Sequence, residues 1–478
     1  MLRFNPFCRR FWLLFGVLFF ALFACKSSSK PGPETATATV TCANAANFQG
    51  TGPAPVPTTI DSTCAALPYT PGSPASLNSN GQQKADMFSW LSFVALNWPV
   101  NAATCTPNTS SSILSDPNNP TWLTYIDDDA VYSGRGPAPW CGSGGGGLRA
   151  GQASIAEGYS PAVKKLLADN PDVHLVLAHN AKSQDLVSTM RLLGATASDP
   201  MKGILQSTDL PLVDQNGRFV RFTVSLNKDE YDYIVAKKLY TVLGQKATPD
   251  IDFPMGSSSS SVGAIEIKAA WKILGAGDDP THFFTQKAIV FNNAQGDPSP
   301  GPNPVTVGLV GLHVAHKAQG QASWAWSTFE QVENTTKSFY NPNCTPPGSK
   351  SCTPNTPTAN ANSNELSASG KPLNAPVQVV PYVKPTTPSL NTSFQGLLAG
   401  TPFQYYQLIG TQWSNGAIGA SPQLLGSAVQ ETFVPYSPQG PYSCIGCHSF
   451  AKATPGGQRS DMSFLVTAPL LTKVPAKK

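Results

Sequence analysis

Turn formers set the first limit on this chain: 44 prolines and 40 glycines stand among its 478 residues. That density is well above average usage, so the chain is rich in loops. Regular structure must be sought between the interruptions. Phe219 to Leu226 alternates as a strand and follows Asn216-Gly217, a strong hairpin signal. Asn227 then caps a helix, with Glu230 three residues on in a capping-box arrangement and Tyr231, Ile234, Val235, Lys238 and Leu239 at helical spacing. Gly263 to Lys268, Ala288 to Asn292 and Val305 to Ala315 are further strand candidates, with the serines Ser257 to Ser261 as a loop before them. Gln378 to Val383 and Phe403 to Trp413 return to strand-like patterning. Met87, Trp90, Leu91, Val94, Ala95 and Trp98 recur at helical spacing within Gln82 to Trp98, and Pro99 closes that run. Ser160-Pro161 opens a short helix through Ala168. Strand, hairpin and helix lie close together, so the expected fold is α+β: a mainly antiparallel sheet with a few helices, long loops and a short C-terminal segment. Nothing repeats at a fixed period, which argues against a solenoid or propeller.

The N-terminus bears on location. Arg3, Arg9 and Arg10 precede an apolar run from Phe11 to Ala24, too short for a comfortable membrane span, and the pattern is that of a secretory signal. The run ends Leu22-Phe23-Ala24-Cys25, which resembles the lipobox of bacterial lipoproteins. That resemblance implies that Cys25 is acylated as the mature N-terminus. With Lys26 next, it also implies the outer membrane as the default destination, with the protein facing the periplasm or the cell surface. Residues 1–24 are then a signal peptide and 25–58 a flexible tether, too polar and repetitive to bury a core. Residues 59–435 form the α+β domain, with no activity assigned, and 436–478 the C-terminal segment. Losing three arginines and no acid lowers the formal charge from +4 to +1. No basic patch is evident, and nucleic acid is not an expected partner.

Ten cysteines are present. Cys8 leaves with the signal and Cys25 takes lipid. In an oxidising compartment Cys42, Cys64, Cys105, Cys141, Cys344 and Cys352 are expected to form disulfides. Local pairing is the simplest, 42 with 64, 105 with 141 and 344 with 352, because each pair brackets one loop-rich segment. A zinc site is the rival, but none of the six forms a C-x2-C pair. The triple acid Asp127-Asp128-Asp129 lacks the calcium-loop pattern and is expected to be a solvated turn.

The remaining two cysteines lie in Ser443-Cys444-Ile445-Gly446-Cys447-His448, which contains C-x-x-C-H. Two thiols three positions apart can add across the vinyl groups of one haem, with the adjoining imidazole placed to bind the iron. Here the chain resembles the c-type cytochromes, over the last thirty-odd residues only. The resemblance implies one covalent haem c on Cys444 and Cys447, His448 as the proximal iron ligand, and electron transfer with an unidentified redox partner protein. Trp90 to Pro99 and Trp324 to Asn334 look like uncharacterised exported bacterial proteins that end in a single haem motif, a likeness that supplies no activity.

The distal ligand would set the chemistry. Met462 is the first candidate and would raise the potential, His313 or His316 the next, and an open position the third. Only 34 positions run from Cys444 to Lys478, so the haem is expected to borrow cover from the large domain or from a partner. In Gly311 to His316 the two histidines are three apart in a strand and point to opposite faces, which argues against a shared metal ion. His313 with Glu330 is kept as a joint acid-base site. Three functions follow in order: an electron-transfer lipoprotein, a haem-dependent oxidoreductase acting on a small substrate, and a surface binding module with a structural haem. Whether the chain is an enzyme stays open.

Overall fold

The computed structural model describes residues 39–71, 80–132, 136–141, 161–173, 175–177, 213–214, 218, 220–290, 303–321, 323–336, 339–340, 386–413, 427, 429–430, 444–449, 451–453 and 458–467. Its centre is an eight-stranded sheet. In chain order the strands are β1 (Ile126–Asp127), β2 (Leu175–Leu177), β3 (Arg221–Leu226), β4 (Ile265–Ile273), β5 (Thr285–Val290), β6 (Val305–His316), β7 (Ala325–Gln331) and β8 (Tyr406–Gln412). The helices used below are α1 (Gly81–Leu96), α2 (Pro161–Asp169), α3 (Lys228–Lys237), α4 (Thr386–Leu397) and the single turn α5 (Cys444–His448). Helices with a mainly antiparallel sheet and no barrel make this an α+β fold.

The long, valine-rich β6 organises the sheet. One edge pairs antiparallel with β4 from Val307 to His316. Its other edge is shared, β5 taking Val305 to Gly308 and β7 taking Gly311 to His316. Outward from these, β7 pairs β8, β4 pairs β3, and β3 pairs β1, all antiparallel. Only β2 joins its neighbour, β5, in parallel.

Side chains alternate between the two faces. On the first face Ile265, Ile267, Ala269, Trp271 and Ile273 of β4 meet Leu312 and Val314 of β6 in a core with α1 and α4. Every residue of α1 is buried, and most of its polar positions are paired with the sheet, with α4 or with the segment before the helix. Ser89 Oγ lies 2.7 Å from Ser327 Oγ and 2.6 Å from Thr411 Oγ1, and Trp90 Nε1 donates to Asn391 Oδ1 at 2.9 Å. The Trp90 ring stacks on Phe394 with centroids 5.0 Å apart. Two disulfides, Cys42–Cys64 and Cys105–Cys141, pair as the spacing predicts.

Several expectations need correction. Asn227 Oδ1 accepts from the Glu230 N–H at 3.2 Å as predicted, but the Asn227 N–H donates to the Ile265 carbonyl at 3.0 Å. The second half of the capping box is therefore absent, and the Glu230 side chain points elsewhere. Asp127 and Asp128 are buried, not a solvated turn, because Asp127 pairs with Ser225 at the sheet edge. Ser257 and Ser258 belong to a strand, Met255–Ser258, that pairs with Ser261–Gly263. Helix α4 has no counterpart in the sequence reading. Cys25, Cys344, Cys352, Asn216-Gly217 and Gln378 to Val383 lie outside the described residues. Among the described residues no helix is long and apolar enough to cross a membrane.

Candidate functional site

The C-x-x-C-H segment is seated on the second face of the sheet. Helix α5 is one turn, so its backbone sets positions 444, 447 and 448 on one side, three and four residues apart. Ile445, fully buried, anchors that turn in a core with Ala315, Trp324 and Trp326. Its N–H donates to Gln412 Oε1 at 3.2 Å, tying α5 to the end of β8. Cys444 is half-buried.

His448 is held from three sides. It is 6% exposed, with its ring 4.1 Å from that of Trp326 and 4.8 Å from that of Phe464. Its Nδ1 lies 2.7 Å from the Met462 carbonyl oxygen. A carbonyl only accepts, so Nδ1 carries the proton and Nε2 is the basic nitrogen. This is the tautomer that a metal-binding imidazole needs when its second nitrogen is fixed by an outer partner. Asp461 and Met462 supply that partner by adopting left-handed backbone, φ 51° and 70°. Asp461 anchors the turn by accepting from the Phe253 N–H at 2.9 Å and by pairing with Lys317. Burial pushes the Asp461 carboxyl up, against the pull of Lys317.

The structure thus brings Met462 to His448, through its carbonyl and on the Nδ1 side of the ring. That carbonyl lies away from Nε2, the nitrogen that would face an iron. The two histidines of β6 separate as their spacing predicts. His316 packs on Phe88 of α1 with centroids 5.3 Å apart, and its Nε2 lies 2.7 Å from the Val262 carbonyl. Burial lowers its pKa to about 4, so it is neutral. His313 is on the other face, with Nδ1 3.0 Å from Thr328 Oγ1. Register places Lys268, His313 and Thr328 side by side across β4, β6 and β7, with Glu330 one same-face step beyond Thr328. Ser427 donates to Glu330 Oε1 at 2.7 Å. His313 and Glu330 therefore share a face with α5, and His316 does not.

The donor set can be tested against a haem c. Among the described residues no group of three or more His, Cys, Asp or Glu is arranged to hold a metal ion. A haem iron takes its equatorial ligands from the porphyrin and needs only an axial imidazole from the protein, of the kind His448 would offer. Trp324 and Trp326 are buried at 1% and 6% exposure, and neither indole N–H finds an acceptor among the described residues. Buried polar groups are normally paired, and unpaired ones cost free energy. The orphan donor of Trp326, beside the His448 ring, and that of Trp324 in the same core suit a group with carboxylate acceptors at its rim, as haem has. The residues present fit the group.

The sequence nominates Cys444, Cys447, His448, Met462 and His313 for a site, but not Trp326, Trp324 or Phe464. The alternation Trp324-Ala325-Trp326 was the available signal, since residues two apart in a strand face the same way. No known protein family, curated protein or solved structure matches this chain.

Proposed function

We propose that this chain is an exported, lipid-anchored electron-transfer protein carrying one covalent haem c, joined to Cys444 and Cys447, with His448 as the proximal ligand. The observation that carries this reading is the His448 imidazole, set in one tautomer by the Met462 carbonyl and clamped by Trp326 and Phe464 on the turn that bears the C-x-x-C pair. A haem held there supplies one-electron chemistry at its iron. The protein's own part is to fix the imidazole, to raise the basicity of Nε2 through the Nδ1 hydrogen bond, and to exclude water with aromatic rings. Met462 acts as a positioning residue through its carbonyl. His313 is then the histidine candidate on the correct face. Anchoring through Cys25 would keep the domain at the envelope, where a redox partner protein could reach it.

The test is an absorption spectrum of protein made in a host that attaches haem c. Reversible oxidation and reduction, with no carbon monoxide complex, supports electron transfer at a six-coordinate iron. A five-coordinate spectrum in both states removes that reading. A second reading, a haem-dependent oxidoreductase acting on a small substrate, is favoured by the Lys268, His313 and Glu330 side chains on the face that carries α5. Unchanged turnover of every accepted substrate in a His313→Ala, Glu330→Gln double variant would dispose of it.

A further inference from the structure

One cross-strand row of the sheet runs Ile126, Leu226, Glu266, Ala315, Trp326, Gln412, each residue directly opposite the next. All six side chains therefore share the face that carries α5. Glu266 is two strands from Trp326, about 10 Å between Cα atoms, with only the small Ala315 between them. Against Glu266 lies Glu230 of α3, freed from the capping role its position in the sequence suggested. Glu230 is 0% exposed, and its carboxyl oxygens find no donor among the described residues, with the Glu266 carboxyl as their neighbour. The Tyr132 hydroxyl, on a residue 2% exposed, is also without a partner there, and it feels the charges of Glu230, Glu266 and Asp128. Three chain segments thus direct ionisable groups into one dry volume. That volume belongs to the same apolar core as Ile445, Met462 and Trp326.

Two carboxylates cannot both be ionised cheaply in such a place. Burial pushes the Glu230 carboxyl well up, the neighbouring Glu266 pushes it further, and Asp461 adds to both. Burial likewise raises the Tyr132 hydroxyl, so it is no competitor for negative charge. Of the cations on this face, Lys317 is committed to Asp461 and Asp252, and Lys268, two positions along β4 from Glu266, donates to the Gln430 carbonyl at 2.8 Å and lies over the Phe222 ring. Glu266, at 9% exposure, is the member of the pair nearest to water.

We propose that Glu230 and Glu266 form a proton-holding pair that releases a proton to solvent when the site at His448 gives up an electron, and recovers it on reduction. This rests on the haem reading above. When a one-electron acceptor oxidises the site, the core gains one positive charge. The O–H bond of the pair then breaks, its electron pair stays on a carboxylate oxygen, and the proton passes to water. The new carboxylate offsets the new positive charge, which is weakly screened inside the protein. Coupling of this kind makes a protein that moves one electron and one proton together.

The experiment uses full-length, haem-loaded protein, with ferricyanide as the acceptor and a pH-indicator dye to count protons. In wild type up to one proton is released per electron, and the midpoint potential falls as pH rises through the neutral range. In Glu230→Gln and, separately, Glu266→Gln, release drops toward zero and the potential becomes flat with pH. A haem-loaded wild type with no release, or a release that both variants leave unchanged, overturns the proposal. Infrared spectra of the same proteins test the pair without reference to the haem. A carboxylic C=O band present at neutral pH in wild type and lost in Glu230→Gln supports the shared proton, and its absence in wild type overturns it. Protein without covalent haem that keeps the infrared band refutes the haem reading, and the coupling with it, while retaining the protonated pair.

Discussion

The two faces of the sheet treat their buried tryptophans differently. On the first, every one of the indoles of Trp90, Trp98, Trp122 and Trp271 donates: to Asn391 Oδ1 at 2.9 Å, the Asn108 carbonyl at 3.0 Å, Asn97 Oδ1 at 3.0 Å and Thr223 Oγ1 at 3.1 Å. On the second, Trp324 and Trp326 donate to nothing among the described residues, and Glu230 and the Tyr132 hydroxyl are likewise unpaired. The first face is built largely as a core is expected to be, although Ser92 Oγ and His316 Nδ1 are exceptions there. The second departs from that rule around His448. A cluster of unsatisfied polar groups, beside a face whose buried indoles are all paired, is the pattern expected where a chain sacrifices stability for function.

Breaking the first face should have the largest effect on stability. Trp90→Ala removes a fully buried ring that contacts Phe93, Phe329 and Phe394, and should cost about 3–5 kcal/mol in urea unfolding. A loss under about 1 kcal/mol would mean that α1 is not the main support of that core. Replacing Cys105 and Cys141 by alanine opens a closure of 36 positions and should cost about 2–4 kcal/mol. Unfolding under reducing and non-reducing conditions would measure it.

A pH series sharpens the comparison. Asp86, within α1, is fully buried, and burial raises its pKa to about 6 despite hydrogen bonds from Thr387, Gln82 and Thr411. The native state then holds the proton to a higher pH than the unfolded chain does. Asp86 therefore supports stability most below an unfolded value near 4, and that support is lost as pH rises to about 6. The amplitude is on the order of 3 kcal/mol or less. Asp86→Asn should reduce the slope by that amplitude, with Glu230 and Asp461, whose carboxyls are also pushed up, supplying the remainder, and a slope that the substitution leaves unchanged places its origin elsewhere.

The smallest effect is the most pointed. Trp122→Phe strands the buried Asn97 acceptor and should cost about 1–3 kcal/mol more than Trp326→Phe, which removes an unpaired donor. Equal costs in haem-free protein would erase the contrast between the faces.

Much of this was legible in the chain. The 3.6 period placed α1, the two-residue alternation placed β3, β4, β6 and β8, and loop bracketing paired the two disulfides among the described residues. These are local signals. Helix α4 was not legible, because Thr386, Thr387, Pro388, Ser389 and Asn391 are weak helix formers and the helix is stabilised by Phe394 on Trp90 and by Asn391 between the Trp90 indole and β8. Glu230 shows a signature misread. The motif of a capping box was present, but strand β4 offered the Ile265 carbonyl to the Asn227 N–H, and the carboxyl turned inward. For the candidate site, C-x-x-C-H nominated Cys444, Cys447 and His448 from sequence alone, whereas Trp326 and the Met462 carbonyl depend on strand register and two left-handed residues. Those are facts of tertiary structure.

The most direct test of the central claim is the intact mass of denatured protein made in a host that attaches haem c. The account predicts one haem that survives denaturation and is missing from a Cys444→Ala, Cys447→Ala double variant. An unmodified wild-type mass in that host would contradict it.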